Sequence, residues 1–120
     1  MFDWNTYLSL AVDPSGHEDE ASHRSAISRA YYCAYHHACT FAKQQGAYIP
    51  ENKEGHGWVW CMLRNNPNAR GGLGTLGDTP LQLRVKADYK PAIKLTRNDA
   101  KRAIDLAFCI LRKLGVGVHD

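Results

Sequence analysis

The sequence predicts an all-α protein: a bundle of four main helices plus short helical pieces, with residues 1–120 forming a single domain. Three observations carry this. Apolar residues recur at spacings of three and four in each long segment. Capping residues and glycines stand at the segment edges. No stretch alternates apolar and polar residues strongly enough to read as a strand.

The elements follow in order. Asp3 caps a short helix through Val12, whose buried stripe is Trp4, Tyr7, Leu8 and Ala11, and Asp13-Pro-Ser-Gly16 breaks it. Asp19 to Gln45 reads as one long helix without an internal proline or glycine, ended by Gly46. Ile27, Ala30, Tyr31, Ala34, Ala38 and Phe41 gather on one side of it, and their many small side chains fit close approach of another helix. Ser22, Ser25, Arg29, Cys33, His36, Thr40 and Lys43 gather on the opposite, polar side.

Trp58, Val59, Cys61, Met62 and Leu63 mark a third helix from Lys53 to Asn65, with Gly55 and Gly57 weakening its start. The segment from Asn65 to Gly74, rich in Asn and Gly, reads as a loop. Asp78 or Thr79 followed by Pro80 signals the start of a fourth helix that ends at Tyr89, before Pro91. Thr96 caps the last helix, and Asp99 three residues later completes a near capping box. The stripe of that helix is Ala100, Ala103, Ile104, Ala107, Phe108, Leu111 and Leu114, and Gly115 ends it.

Composition bounds the function classes. The apolar fraction of 44% and charged fraction of 22% are those of a globular protein. No apolar run approaches the roughly 18 residues that cross a bilayer, and Met1-Phe-Asp-Trp-Asn has neither the basic region nor the apolar stretch of a signal peptide. Cys33, Cys39, Cys61 and Cys109 fall in apolar periodic segments, which suits reduced thiols. Together these readings predict a cytoplasmic protein with no membrane partner.

The net charge of +3 hides an asymmetry. Residues 1–23 hold five acids and no Lys or Arg, so residues 24–120 hold 15 basic residues against seven acids, a net of +8. Such a body attracts polyanions such as RNA, although a solvated basic surface needs no polyanion to explain it.

The chemistry-bearing pattern lies on the long helix. Arg29 and His36 are seven residues apart, which returns to within about 20° of one direction and climbs about 10 Å. Arg stays charged and holds two phosphate oxygens at once, while His exchanges a proton near neutral pH. Tyr32 flanks the same face and can stack on a base or orient a phosphate, or simply pack at an interface. Arg84 and Lys86 can touch backbone phosphates or serve as ordinary surface charge. A salt bridge to Asp88 for Arg29, and a plain polar-face position for His36, are the structural alternatives.

Cys33 and His37, with Cys39, His56 and Cys61, offer possible zinc ligands, but no CxxC or HExxH spacing is present and no metal or other cofactor is expected. Gly71-Gly-Leu-Gly74 lacks the following Lys of a phosphate loop.

Two strings, Arg24-Ser-Ala-Ile-Ser-Arg-Ala-Tyr-Tyr-Cys-Ala-Tyr-His36 and Leu83-Arg-Val-Lys-Ala-Asp-Tyr89, resemble the HEPN (higher eukaryotes and prokaryotes nucleotide-binding) domain family. The resemblance implies a small HEPN-like bundle that usually dimerises. In many members it also implies a metal-independent ribonuclease of toxin, phage-defence or CRISPR-linked systems. The family's Arg and His have four to six residues between them, which Arg29 and His36 match with six. The implied partners are RNA, a second copy bound through the helix of Arg29 and His36, and an antitoxin or nucleotidyltransferase. A non-catalytic module that binds nucleotide, RNA or protein is the other expectation.

Overall fold

The computed structural model describes residues 19–48, 54–65 and 73–115. They form four helices, α1 (Glu20–Gln44), α2 (Glu54–Asn65), α3 (Leu73–Tyr89) and α4 (Arg97–Lys113), and no strand. The protein is thus all-α. The helix expected from Asp3 to Val12 and most of the 65–74 loop lie outside the described residues.

Local chemistry sets most of the ends. Asp19 accepts from the Ser22 backbone N–H at 2.8 Å and so occupies one of the orphan donors of α1. At the other end Gly46 adopts φ +86°, its N–H reaches the Lys43 carbonyl at 3.0 Å, and the Ala47 N–H reaches the Ala42 carbonyl at 3.0 Å. That is a Schellman closure, which needs the left-handed residue. Thr96 and Asp99 form the reciprocal capping box of α4: the Asp99 carboxylate accepts from the Thr96 N–H at 2.9 Å, and the Thr96 hydroxyl accepts from the Asp99 N–H at 3.3 Å.

α1 is the central element. It packs against each of the other three helices and most extensively against α4, while α2 and α4 do not meet among the described residues. Small residues are buried on both helices of that pair, Ala26, Ala30, Ala34 and Ala38 on α1 and Ala100, Ala103 and Ala107 on α4. Small side chains let helix axes approach to about 8 Å.

Two sequence expectations are corrected. The buried arc of α1 is wider than its alanine face, for Cys33, expected on the polar side, is fully buried. And α3 starts at Leu73, not beside Asp78, so Pro80 lies inside the helix. Close packing explains the earlier start. A Cβ on Gly74 would stand 2.5 Å from the Trp60 carbonyl oxygen, and one on Gly77 would run into the Trp60 ring. The glycines that weaken α3 in isolation let α2 lie against it.

Arg24 fastens α1 to the far end of α3. Its Nε pairs with Glu20 at 2.8 Å, and its Nη1 donates to the carbonyls of Lys86 and Ala87 at 2.9 and 3.0 Å. Nη2 donates to the carbonyls of Lys90 and Ile93 in the turn beyond. One guanidinium therefore gathers carbonyls at and just beyond the end of α3, those of Lys86 and Lys90 being shared with backbone N–H groups, and its charge offsets the helix dipole there.

Candidate functional site

Along α1, Ser25, Arg29, Tyr32, His36, Thr40 and Lys43 form the arc on which no residue is buried. Arg29 and His36 are both half-buried on it. Arg29 Nε donates to the Ser25 hydroxyl one turn back at 3.0 Å, so its head leans toward the start of the helix, as helical side chains do, and away from His36. The structural alternative of an Arg29 pair with Asp88 is not what forms: Asp88 lies against Arg84 and Ser28.

His36 sits among aromatic rings. Tyr32 stacks beside it with centroids 6.0 Å apart, and Tyr35 meets it edge-on at 5.3 Å. Burial pulls its pKa below the ordinary histidine value of 6.5, and His37 and Lys43 push the same way. It is therefore a neutral imidazole at pH 7, able to accept a proton.

Tyr32 links this residue to α3. Its hydroxyl accepts from Arg84 Nη2, and the Arg84 guanidinium carbon lies 5.0 Å from its ring centroid. Arg84 is itself buried, at 8% exposure, and lies 5.0 Å from the Tyr89 ring as well, with Nη2 3.2 Å from that hydroxyl. Its Nε is 2.9 Å from Asp88 Oδ2, an ion-pair contact in which the N–H is not aimed at the oxygen, so Nε makes no hydrogen bond. Burial opposes the Arg84 charge, but Tyr32, Tyr89 and Asp88 outweigh it and hold the guanidinium above its ordinary value. Lys86 is half-buried, and its carbonyl is taken by Arg24.

The structure thus joins His36, Tyr32 and Arg84 into one cluster, while Arg29 stands on the same helical face with its head turned to Ser25. The cluster has a further member, His56 at the start of α2. The His56 ring stacks on Tyr35 with centroids 4.2 Å apart, and its Nδ1 lies 2.7 Å from the Tyr31 hydroxyl. That hydroxyl also accepts from Trp60 Nε1 at 3.1 Å. Tyr31 is 1% exposed, so its proton must have a partner, and His56 Nδ1 is the acceptor at hand. The relay Trp60 to Tyr31 to His56 therefore fixes the neutral tautomer of His56 with its proton on Nε2. Burial, then Arg84 and His36, lower the His56 pKa to about 4. Burial raises the Tyr31 and Tyr35 hydroxyls above the ordinary tyrosine value, so both stay protonated.

Sequence reasoning weighed His56 only as a metal ligand. The signal that finds it is its spacing of four from Trp60, which puts both on one side of α2, with Trp60 fully buried and Trp58 53% exposed. No group of three or more His, Cys, Asp or Glu residues among the described residues is placed to hold a metal ion. The four cysteines form no disulfide, and burial raises the Cys39 thiol above its ordinary value. No helix among the described residues is long and apolar enough to cross a membrane.

No family model, no curated protein and no solved structure matches the chain.

Proposed function

We propose that this chain is a metal-independent endoribonuclease of the HEPN type, working as a homodimer through α1 in a toxin, phage-defence or CRISPR-linked system. The observation that carries the reading is the placement of Arg29 and a neutral His36 on the one arc of α1 where no residue is buried. Within one protomer Arg29 leans away from His36, so a working site needs a second α1. Two such helices crossing antiparallel about a two-fold axis bring Arg29 of one protomer toward His36 of its partner.

The chemistry follows from the two groups. His36 takes the proton of the ribose 2′-hydroxyl, the 2′-oxygen attacks phosphorus, and the bond from phosphorus to the 5′-oxygen breaks. The imidazolium so formed returns its proton to the leaving 5′-oxygen. Arg29 offsets the charge that grows on the non-bridging oxygens. The products are a 2′,3′-cyclic phosphate and a 5′-hydroxyl. Basic residues beyond position 23 favour RNA encounter, and an antitoxin or nucleotidyltransferase is the regulating partner this reading implies.

The hold of Ser25 on Arg29 favours a second reading, a non-catalytic module that binds RNA, nucleotide or protein through the same face. Incubation of single-stranded RNA with the protein and a chelator separates the two. Cleavage to cyclic-phosphate ends, reduced at least about 100-fold by Arg29→Ala and by His36→Ala, is the expected result. Cleavage that survives both substitutions, or none at all by the unaltered chain, overturns the nuclease reading.

A further inference from the structure

A pocket of about 340 Å³ opens between the start of α2 and the outer side of α3, lined by His56, Leu81, Gln82, Arg84, Val85 and Tyr89. Its size is at the lower end of small-ligand sites. Its polar lining is dominated by donors. Arg84 Nη2 is committed to Tyr32 and Tyr89, Nε lies 2.9 Å from Asp88 without a hydrogen bond, and the two N–H groups of Nη1 have no partner among the described residues. His56, whose Nδ1 accepts from Tyr31, has its one remaining polar hydrogen on Nε2. Asp88 offsets the Arg84 charge at 2.9 Å, which weakens the pull on a bare anion and leaves directed donors as the selecting feature. Leu81 and Val85 supply apolar wall, and the Tyr89 ring, 65% exposed, stands at the lip.

A flat, partly apolar ligand with two adjacent acceptors on one edge fits this lining. Two nucleobases present such a pair when unpaired: guanine has O6 and N7 side by side, and cytosine has O2 and N3, whereas adenine sets an amino donor beside each of N1 and N7. The two-ring purine covers more of the apolar wall of Leu81 and Val85 than the one-ring pyrimidine, which favours guanine. We propose that this pocket receives one unstacked guanine of single-stranded RNA, read by Arg84 and His56. Tyr32 separates the pocket from His36 by a single ring, in contact with Arg84 on one side and stacked 6.0 Å from His36 on the other. The guanine therefore sits beside the phosphate to be cut. This last step rests on the nuclease reading, whereas the binding of the base does not.

The test is a titration with the monophosphates of guanosine, adenosine and cytidine and with inorganic phosphate, followed through the ring signals of His56 and the indole signal of Trp60. Saturable binding of the guanine nucleotide, at least about 10-fold tighter than the adenine and cytosine ones, is expected, and tighter binding of the cytosine nucleotide overturns the assignment. Leu81→Trp, which puts an indole into the pocket while leaving Arg84 and His56 in the chain, should abolish it. Equal binding of all three nucleotides and of phosphate would mean an oxyanion site, and no binding at millimolar concentration an empty one; either overturns the assignment. Guanine binding in a chain that cuts no RNA upholds the pocket and removes the nuclease. RNA cleavage with no preference beside guanine, and no guanine nucleotide bound, does the reverse.

Discussion

At the scale of single residues, the two histidines are both held neutral, and the consequences differ in kind. His36 must be deprotonated to take the 2′-hydroxyl proton, and its pKa lies below 6.5. In the proposed reaction the cleavage rate should therefore rise with pH through a midpoint below 6.5, and a midpoint above 6.5 would remove His36 as the base. His56 bears on stability. Its folded value is about 4 against an ordinary 6.5, so between those values the unfolded chain holds a proton that the folded chain lacks. Stability is thus complete above pH 6.5 and is lost as pH falls toward 4, by at most about 1.4 kcal/mol per pH unit for one such group. Urea midpoints measured from pH 7 to 4 should fall less for His56→Asn than for the unaltered chain. Parallel curves would mean that His56 does not titrate in this window.

At the scale of elements, the contact of α2 with α3 reverses an ordinary expectation. In an exposed helix, Gly→Ala gains up to about 1 kcal/mol. At Gly77 a methyl group meets the Trp60 ring, so Gly77→Ala should instead cost about 1–3 kcal/mol, read as a lower urea midpoint, while alanine at the exposed Gly57, where a Cβ meets nothing within 4 Å, should cost nothing. The same contact marks where sequence reading stops. The ends of α1 and α4 were legible because Asp19, Gly46, Thr96 and Asp99 act on backbone groups within a few residues of themselves. The start of α3 was not, since Gly74 falls in the expected loop and Gly77 ahead of the expected cap until Trp60 is placed over them. That Arg29 and His36 share one face of α1 was likewise legible from spacing alone. The ring cluster around His36 was not, because it depends on which way α2 turns His56 and on Arg84 reaching across to Tyr32.

At the scale of the whole molecule, the proposed dimer can be sized. A helix of 25 residues is about 37 Å long. A strip of it about 10 Å wide then gives roughly 370 Å² per protomer, half of the about 800 Å² that a stable interface buries on each side. The α1 strip alone makes a weak pair. Sedimentation from 1 to 100 µM should show monomer converting to dimer, with RNA cleavage per chain rising in step. Full activity in a purely monomeric sample would sink the composite site.

The central position of α1 has a consequence for inheritance. Its outer arc carries the residues of the proposed site and its inner arc carries the core of Ala30, Tyr31 and Ala34, so insertion or loss of one residue within the helix turns everything beyond that point by about 100°. A frame slip in this helix destroys the bundle along with the site. Replacement of Arg29 or His36, by contrast, touches only the outer arc. Chains in which Arg29 and His36 are rewritten should therefore still fold as intact bundles.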